Sequence, residues 1–166
     1  MRSFKTFSGI SAGVLLALAG GAQAATTGTD FLVTANVVAS CSVVATDLAF
    51  GDFDGSGNLA DTSTISVTCT NGHGYSIALD AGDAASTSIA NRTLENATGD
   101  LLTYNLYTDL NHTAIWGDTG TTDVDGTGTG LTTDVDHTVY GLLPVAGNET
   151  ATTGLYSSTI AVTVTY

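Results

Sequence analysis

A chain of 166 residues with three Lys and Arg against 16 Asp and Glu carries a formal net charge of −13. Arg2 and Lys5 lie in the first five positions, so everything beyond them holds only Arg92 against all 16 acids, formally −15. Nucleic acid and anionic membrane are bound by Lys and Arg that replace counterions, so this composition excludes both as partners.

Residues 1–24 have the layout of an export signal. A basic start is followed by an apolar run over residues 10–19 and a small-residue cleavage site at Ala22-Gln23-Ala24. The run is too short to span a bilayer, and no later stretch is apolar enough, so the exported chain is not membrane-embedded. Cleavage after Ala24 leaves 142 residues, enough for one domain with a sizeable core. The remainder is rich in Thr, Gly, Ala, Val and Asp and poor in Lys, Glu and Gln, which favours strands and turns over helices.

The first strand-like segment is residues 30–38, where Phe31, Val33, Ala35 and Val37 share one parity. Next comes a strand over 43–50, leading into the turn cluster of residues 51–57. A strand over 64–70 puts Ile65, Val67 and Cys69 on one face. Asn71-Gly72 suits a tight turn. Tyr75, Ile77 and Leu79 then alternate within 75–80, and Leu102, Tyr104 and Leu106 within 101–108. Residues 117–136, loaded with Gly, Thr and Asp, read as a long loop or hairpin tip. A strand over 137–143 follows. Residues 156–166 close the series, with Tyr156, Ile160, Val162, Val164 and Tyr166 on one parity and Thr159, Ala161, Thr163 and Thr165 on the other. About six short strands separated by turn chemistry indicate an all-β sandwich.

Both outer segments, 30–38 and 156–166, are apolar strands without an evident partner, and an unpaired edge is a template for another chain. This suggests a subunit that polymerises. The alternative is that 30–38 folds back as an ordinary strand of the same domain. Cys41 and Cys69, 28 positions apart in an exported chain, are expected to form one disulfide, contributing about 3–4 kcal/mol by chain entropy.

Motifs for catalysis are missing. His73, His112 and His137 are scattered, and no nucleophile elbow, zinc pattern or phosphate loop occurs, so neither an enzyme nor a cofactor is expected. Asp118, Asp123, Asp125, Asp134 and Asp136 place carboxylates on a Gly-rich loop, chemistry that suits calcium, but without the spacing of a helix-loop-helix calcium site. A solvated acidic loop is the simpler reading. Trp116, the sole tryptophan, is expected in the core or anchoring a hairpin rather than stacking on sugar. Arg92 is expected to pair with a carboxylate. Four Asn-x-Thr triplets, at Asn91, Asn96, Asn111 and Asn148, match the glycan-acceptor pattern, which chance explains in a chain so rich in Asn and Thr.

An ordered series of motifs carries a family resemblance. Leu48-Ala-Phe-Gly51 follows the first cysteine, Ile65-Ser-Val-Thr-Cys-Thr70 surrounds the second, and Tyr75-Ser-Ile-Ala-Leu79 comes next. Asn91-Arg-Thr-Leu94, Leu102-Thr-Tyr-Asn-Leu-Tyr107, Trp116-Gly-Asp118, His137-Thr-Val-Tyr-Gly141 and the segment Gly154–Tyr166 complete it. Together they resemble the spore coat protein U family, which includes the major subunits of archaic (Csu-type) chaperone–usher pili. The resemblance implies an incomplete immunoglobulin-like β-sandwich, completed by a donor strand from a neighbouring subunit. It implies a donor segment over 25–39 with Phe31, Val33, Ala35 and Val37 as groove-filling knobs, and a pilin domain over 40–166. It also implies a Cys41–Cys69 disulfide and partners that are like subunits, a periplasmic chaperone and an outer-membrane usher. Ile160, Val162, Val164 and Tyr166 are the expected groove-edge strand. The implied product is a cell-surface pilus supporting adhesion and biofilm formation. The Asp-rich loop departs from what the family would lead one to expect. A monomeric secreted β-sandwich that binds calcium or glycan through 117–136 is the competing reading.

Overall fold

The computed structural model describes residues 23–86 and 88–166; residues 1–22 of the expected leader lie outside them. Asn36–Tyr166 form one compact unit. The described residues of the preceding unit, 23–35, carry no strand or helix and are exposed.

Eight strands and no helix occur among the described residues: β1 (Cys41–Ala45), β2 (Leu59–Cys69), β3 (Gly74–Leu79), β4 (Arg92–Glu95), β5 (Leu101–Tyr107), β6 (Val124–Thr127), β7 (Val135–Leu143) and β8 (Val162–Thr165). All pairings are antiparallel, in a five-stranded sheet of order β1-β2-β7-β5-β4 and a three-stranded sheet of order β6-β3-β8. The all-β sandwich expected from the alternation is what the chain forms.

Side-chain parity decides the core. Ile65, Val67 and Cys69 from β2, Tyr75, Ile77 and Leu79 from β3, Leu102, Tyr104 and Leu106 from β5, and Val139 and Leu143 from β7 point inward and are buried. A disulfide joins Cys41 to Cys69, which face each other in the β1–β2 register. The β2–β3 connection turns where expected: His73 N–H bonds the Thr70 carbonyl at 3.1 Å, with Gly72 at φ 74°. Only a residue without Cβ adopts that backbone region readily.

Several segments differ from the sequence expectation, among them β2, which starts at Leu59 and not at 64. Strand β1 ends at Ala45, and residues 46–58 continue with no strand. Strand β6 lies inside the expected loop 117–136. Its pairing with β3 depends on Gly126, where a Cβ would stand 2.3 Å from the Tyr75 ring, so the glycine lets that ring lie flat on the strand. Strand β4 went unforeseen because its first residue, Arg92, reads as a surface position. The final strand is confined to Val162–Thr165, because residues 157–161 are tied by other means.

Arg92 is fully buried and pairs with no carboxylate, contrary to expectation. Its Nε donates to the Asp80 carbonyl at 2.8 Å, and Nη2 donates to the carbonyls of Leu79 at 2.9 Å and Trp116 at 2.8 Å. Nη1 donates to Asn105 Oδ1 at 2.9 Å, which explains why Asn105 is buried against the parity of β5. Burial is the main effect on the guanidinium and lowers its pKa. A planar fork of donors can reach four acceptors on β4's neighbours at once, and no other side chain can. Trp116 occupies the core, as expected, with Nε1 donating to the Ile77 carbonyl at 2.9 Å.

Arg92→Met is expected to orphan four acceptors and to cost at least about 3 kcal/mol. Arg92→Lys should not restore the loss, since one ammonium cannot satisfy that fork. Urea midpoints and soluble yield of the two variants check both statements; parent-like values for Lys would reject the fork argument.

Candidate functional site

A cleft of about 1250 Å³ opens into the sandwich interior. One wall is the end of β1 at Ala45 with the strandless residues 46–55, and the other is residues 151–160, running into β8 at Val162. Its floor includes Ile65, Leu79, Leu102, Tyr104, Leu106, Val139 and Leu143, which are core residues of both sheets. Strands β1 and β8 approach one another without pairing, so each has a free edge on this side.

The first wall stays close because Gly141 on β7 lacks a side chain. A Cβ there would stand 2.7 Å from Leu48 Cδ1 and 3.1 Å from Phe50 Cε1. Phe50 also meets Tyr104 edge-on, with ring centroids 5.9 Å apart. Leu48, Phe50 and Phe53 remain only half-buried.

The second wall has two unlike edges. On its inner side Ser157 exchanges two backbone hydrogen bonds with Glu95 of β4, at 3.0 and 3.1 Å. Thr159 and Ala161 donate their N–H to Asp83 Oδ1 at 2.6 Å and Asp80 Oδ1 at 2.9 Å. Among the described residues the peptide groups of Ser158 and Ile160, which point the other way by strand alternation, make no backbone hydrogen bond. Further back, Asp100 accepts from Thr152 Oγ1 at 2.6 Å, and Thr152 also bonds the Tyr156 hydroxyl at 3.0 Å. Hydrogen bonds from Thr152, Asn96 and Thr98 hold the Asp100 carboxyl below its ordinary pKa.

The expected groove-edge residues do not all stand alike. Ile160 and Val162 line the cleft, Val164 is half-buried against the core, and Tyr166 is 56% exposed with its ring edge-on to His73. Residues 30–38 form no strand, and Phe31, Val33 and Val37 are 84%, 76% and 80% exposed. Ala35 is also exposed.

The Asp residues of 117–136 are dispersed. Asp136 accepts from Ser66 Oγ at 2.6 Å and Asp134 from Thr68 Oγ1, both on the β2–β7 face, whereas Asp125 lies on β6 of the other sheet. Among the described residues no group of three or more His, Cys, Asp or Glu converges on a metal position. Of the Asn-x-Thr triplets, Asn148 is buried and uses its amide on Thr103 and Pro144, so it offers nothing to a glycan.

Sequence reasoning missed Asp80 and Asp83. Two Asp three residues apart around a glycine are a turn signal, and nothing in that spacing points to residues about 80 positions later.

A family model for the Spore Coat Protein U domain matches residues 27–163. Protein U of Myxococcus xanthus is 30% identical over 185 aligned positions, covering the whole of both chains. The fold is similar to a chain of the crystal structure of the CsuC–CsuE chaperone–tip adhesion subunit pre-assembly complex, from archaic chaperone-usher Csu pili of Acinetobacter baumannii. The TM-score is 0.57 at 22% identity, over 78% of this chain and 40% of that one. This chain therefore spans less than half the length of that relative.

Gly141→Val is expected to push Leu48 and Phe50 off β7 and to lower stability by about 1–3 kcal/mol through overpacking. A urea melt followed by tyrosine fluorescence checks it; an unchanged midpoint would mean that the 46–55 wall does not rest on Gly141.

Proposed function

This chain belongs to the Spore Coat Protein U family, and from that premise we propose that it is a structural subunit of a surface pilus. Subunits join head to tail by donor-strand complementation: residues 30–38 of one copy enter the cleft of the next. Phe31, Val33, Ala35 and Val37 face the floor, and the strand's backbone bonds the free edge at Ser158 and Ile160.

One observation carries this reading. A cleft with an apolar floor and an unpaired strand edge occurs in a chain whose segment 30–38 alternates apolar residues and leaves them exposed. Each half supplies what the other lacks. An inserted strand gains backbone hydrogen bonds along its length and places alternate side chains in pockets. Burial of Phe31, Val33 and Val37 contributes about 1.5–3 kcal/mol each before ordering costs. No ATP, metal or catalytic residue is required for such a link, and the role is structural rather than enzymatic. A contact between unlike surfaces that does not close on itself generates an open filament.

An open cleft leaves an unpaired strand edge and half-buried apolar walls available for aggregation, so a partner must cover it before assembly. The similarity to a subunit from a chaperone pre-assembly complex supports a periplasmic chaperone in that role, with an outer-membrane usher completing export. Residues 1–24 supply the export signal for that route. Support of adhesion and biofilm formation belongs to the same proposal.

Phe31→Asp with Val33→Asp is expected to abolish filaments in electron micrographs of cells making this chain, while the subunit is still exported. Filaments of normal number and length from the double variant would reject residues 30–38 as the donor.

A further inference from the structure

Strand β3 ends at Leu79, yet hydrogen bonds from the residues after it continue along the cleft wall past β8. Two carboxylates account for this. Asp80 donates its N–H to the Ala161 carbonyl at 3.2 Å and accepts the Ala161 N–H on Oδ1 at 2.9 Å. Asp83 repeats the pattern on Thr159, donating N–H to its carbonyl at 3.2 Å and accepting its N–H on Oδ1 at 2.6 Å. In each pair a side-chain oxygen stands where a neighbouring strand would offer a carbonyl. Asp83 Oδ1 also accepts from Ser158 Oγ at 3.2 Å, and Asp80 Oδ1 accepts from Gly82 N–H at 3.0 Å.

The loop between them is shaped for this contact. Gly82 has φ +89°, and a Cβ there would lie 2.6 Å from Ser158 Oγ and 3.1 Å from Ile160 Cδ1. Arg92 fixes the loop's base through the carbonyls of Leu79 and Asp80. With Glu95 holding Ser157, the inner side of residues 157, 159 and 161 is satisfied at every alternate position. Among the described residues the outer side, at Ser158 and Ile160, is left without backbone hydrogen bonds.

We infer that Asp80, Gly82 and Asp83 form a clamp that pre-sets residues 157–161 as a ready strand edge for the incoming segment. Asp80 and Asp83 are positioning residues: they act on the entering strand through Thr159 and Ala161. This rests on the strand-donation reading proposed above. A clamp built from side chains fixes the edge without adding a further strand beside it. It thereby reduces the ordering cost that binding would otherwise bear.

The test uses the full exported chain carrying Phe31→Asp and Val33→Asp, so that its own segment does not compete, and a labelled synthetic peptide of residues 29–39. Peptide affinity is read by fluorescence anisotropy. Asp80→Ala with Asp83→Ala is expected to weaken binding about tenfold or more, since both carboxylate acceptors for the Thr159 and Ala161 N–H groups are lost. Asp80→Asn with Asp83→Asn keeps both Oδ1 acceptors and is expected to stay within about threefold of the parent. Amide exchange supplies the second readout: Thr159 and Ala161 lose protection in the alanine variant while β2 and β7 keep theirs. Equal affinity of parent and alanine variant rejects the clamp and leaves strand donation standing. Protection lost throughout β2 and β7 also rejects it, because the carboxylates would then serve the whole fold. A parent that does not bind the peptide rejects strand donation, and the clamp with it.

Discussion

One constraint governs this molecule: a β-layer is stable only where its apolar face is covered and its edge hydrogen bonds are met. Over most of the sandwich both conditions hold. Core residues of β2, β3, β5 and β7 are almost wholly buried, and no buried side-chain polar atom lacks a partner among the described residues. Between the stretch 45–55 and residues 151–162 the edge hydrogen bonds are not met and the apolar walls are only partly covered. There the floor is core, but the walls are half-buried side chains and an edge paired on one side. A fold that is tight everywhere except along one strand-shaped cleft has its binding site defined by what is missing.

Holding that cleft open takes polar chemistry, because the apolar side chains around it favour collapse. The described residues contain one cation, Arg92, and it is spent in the interior on three carbonyls and one amide rather than on a carboxylate. It ties β4 and β5 of the large sheet to the end of β3 in the small one. Asp80 and Asp83 continue that tie outward to the cleft wall. The exposed acids are consequently without cationic partners on the surface, and a subunit so charged repels its own copies at long range. Short-range burial in the cleft has to exceed that repulsion, and the alternating apolar segment 30–38 is suited to supply it.

The disulfide and the glycines have local tasks in the same frame. Cys41–Cys69 fastens the edge strand β1 to β2 at the start of β1, where one side of β1 has no neighbour. Gly141 admits Leu48 and Phe50 against β7, and Gly126 admits Tyr75 against β6. The first contact joins segments that no regular ladder links, and the second makes room for a ring within the β3–β6 ladder.

The sequence by itself determined the strand class, the inward faces of β2, β3 and β5, and the apolar alternation of residues 30–38. Those features follow from a period of two that is written in consecutive residues, and from a composition that lacks helix formers. Strands β4 and β6 were hidden because a buried Arg and a Val-Asp-Gly-Thr segment have no such signature. They become strands through what they pair with. The shape of the cleft and the carboxylate clamp were decided by tertiary structure alone. Asp83 and Thr159 are 76 positions apart and Asp80 and Ala161 are 81 apart, so their hydrogen bonds exist only once both sheets have closed. Local periodicity can state which face of a strand is apolar; only the packed sheets state which edge is left without a neighbour.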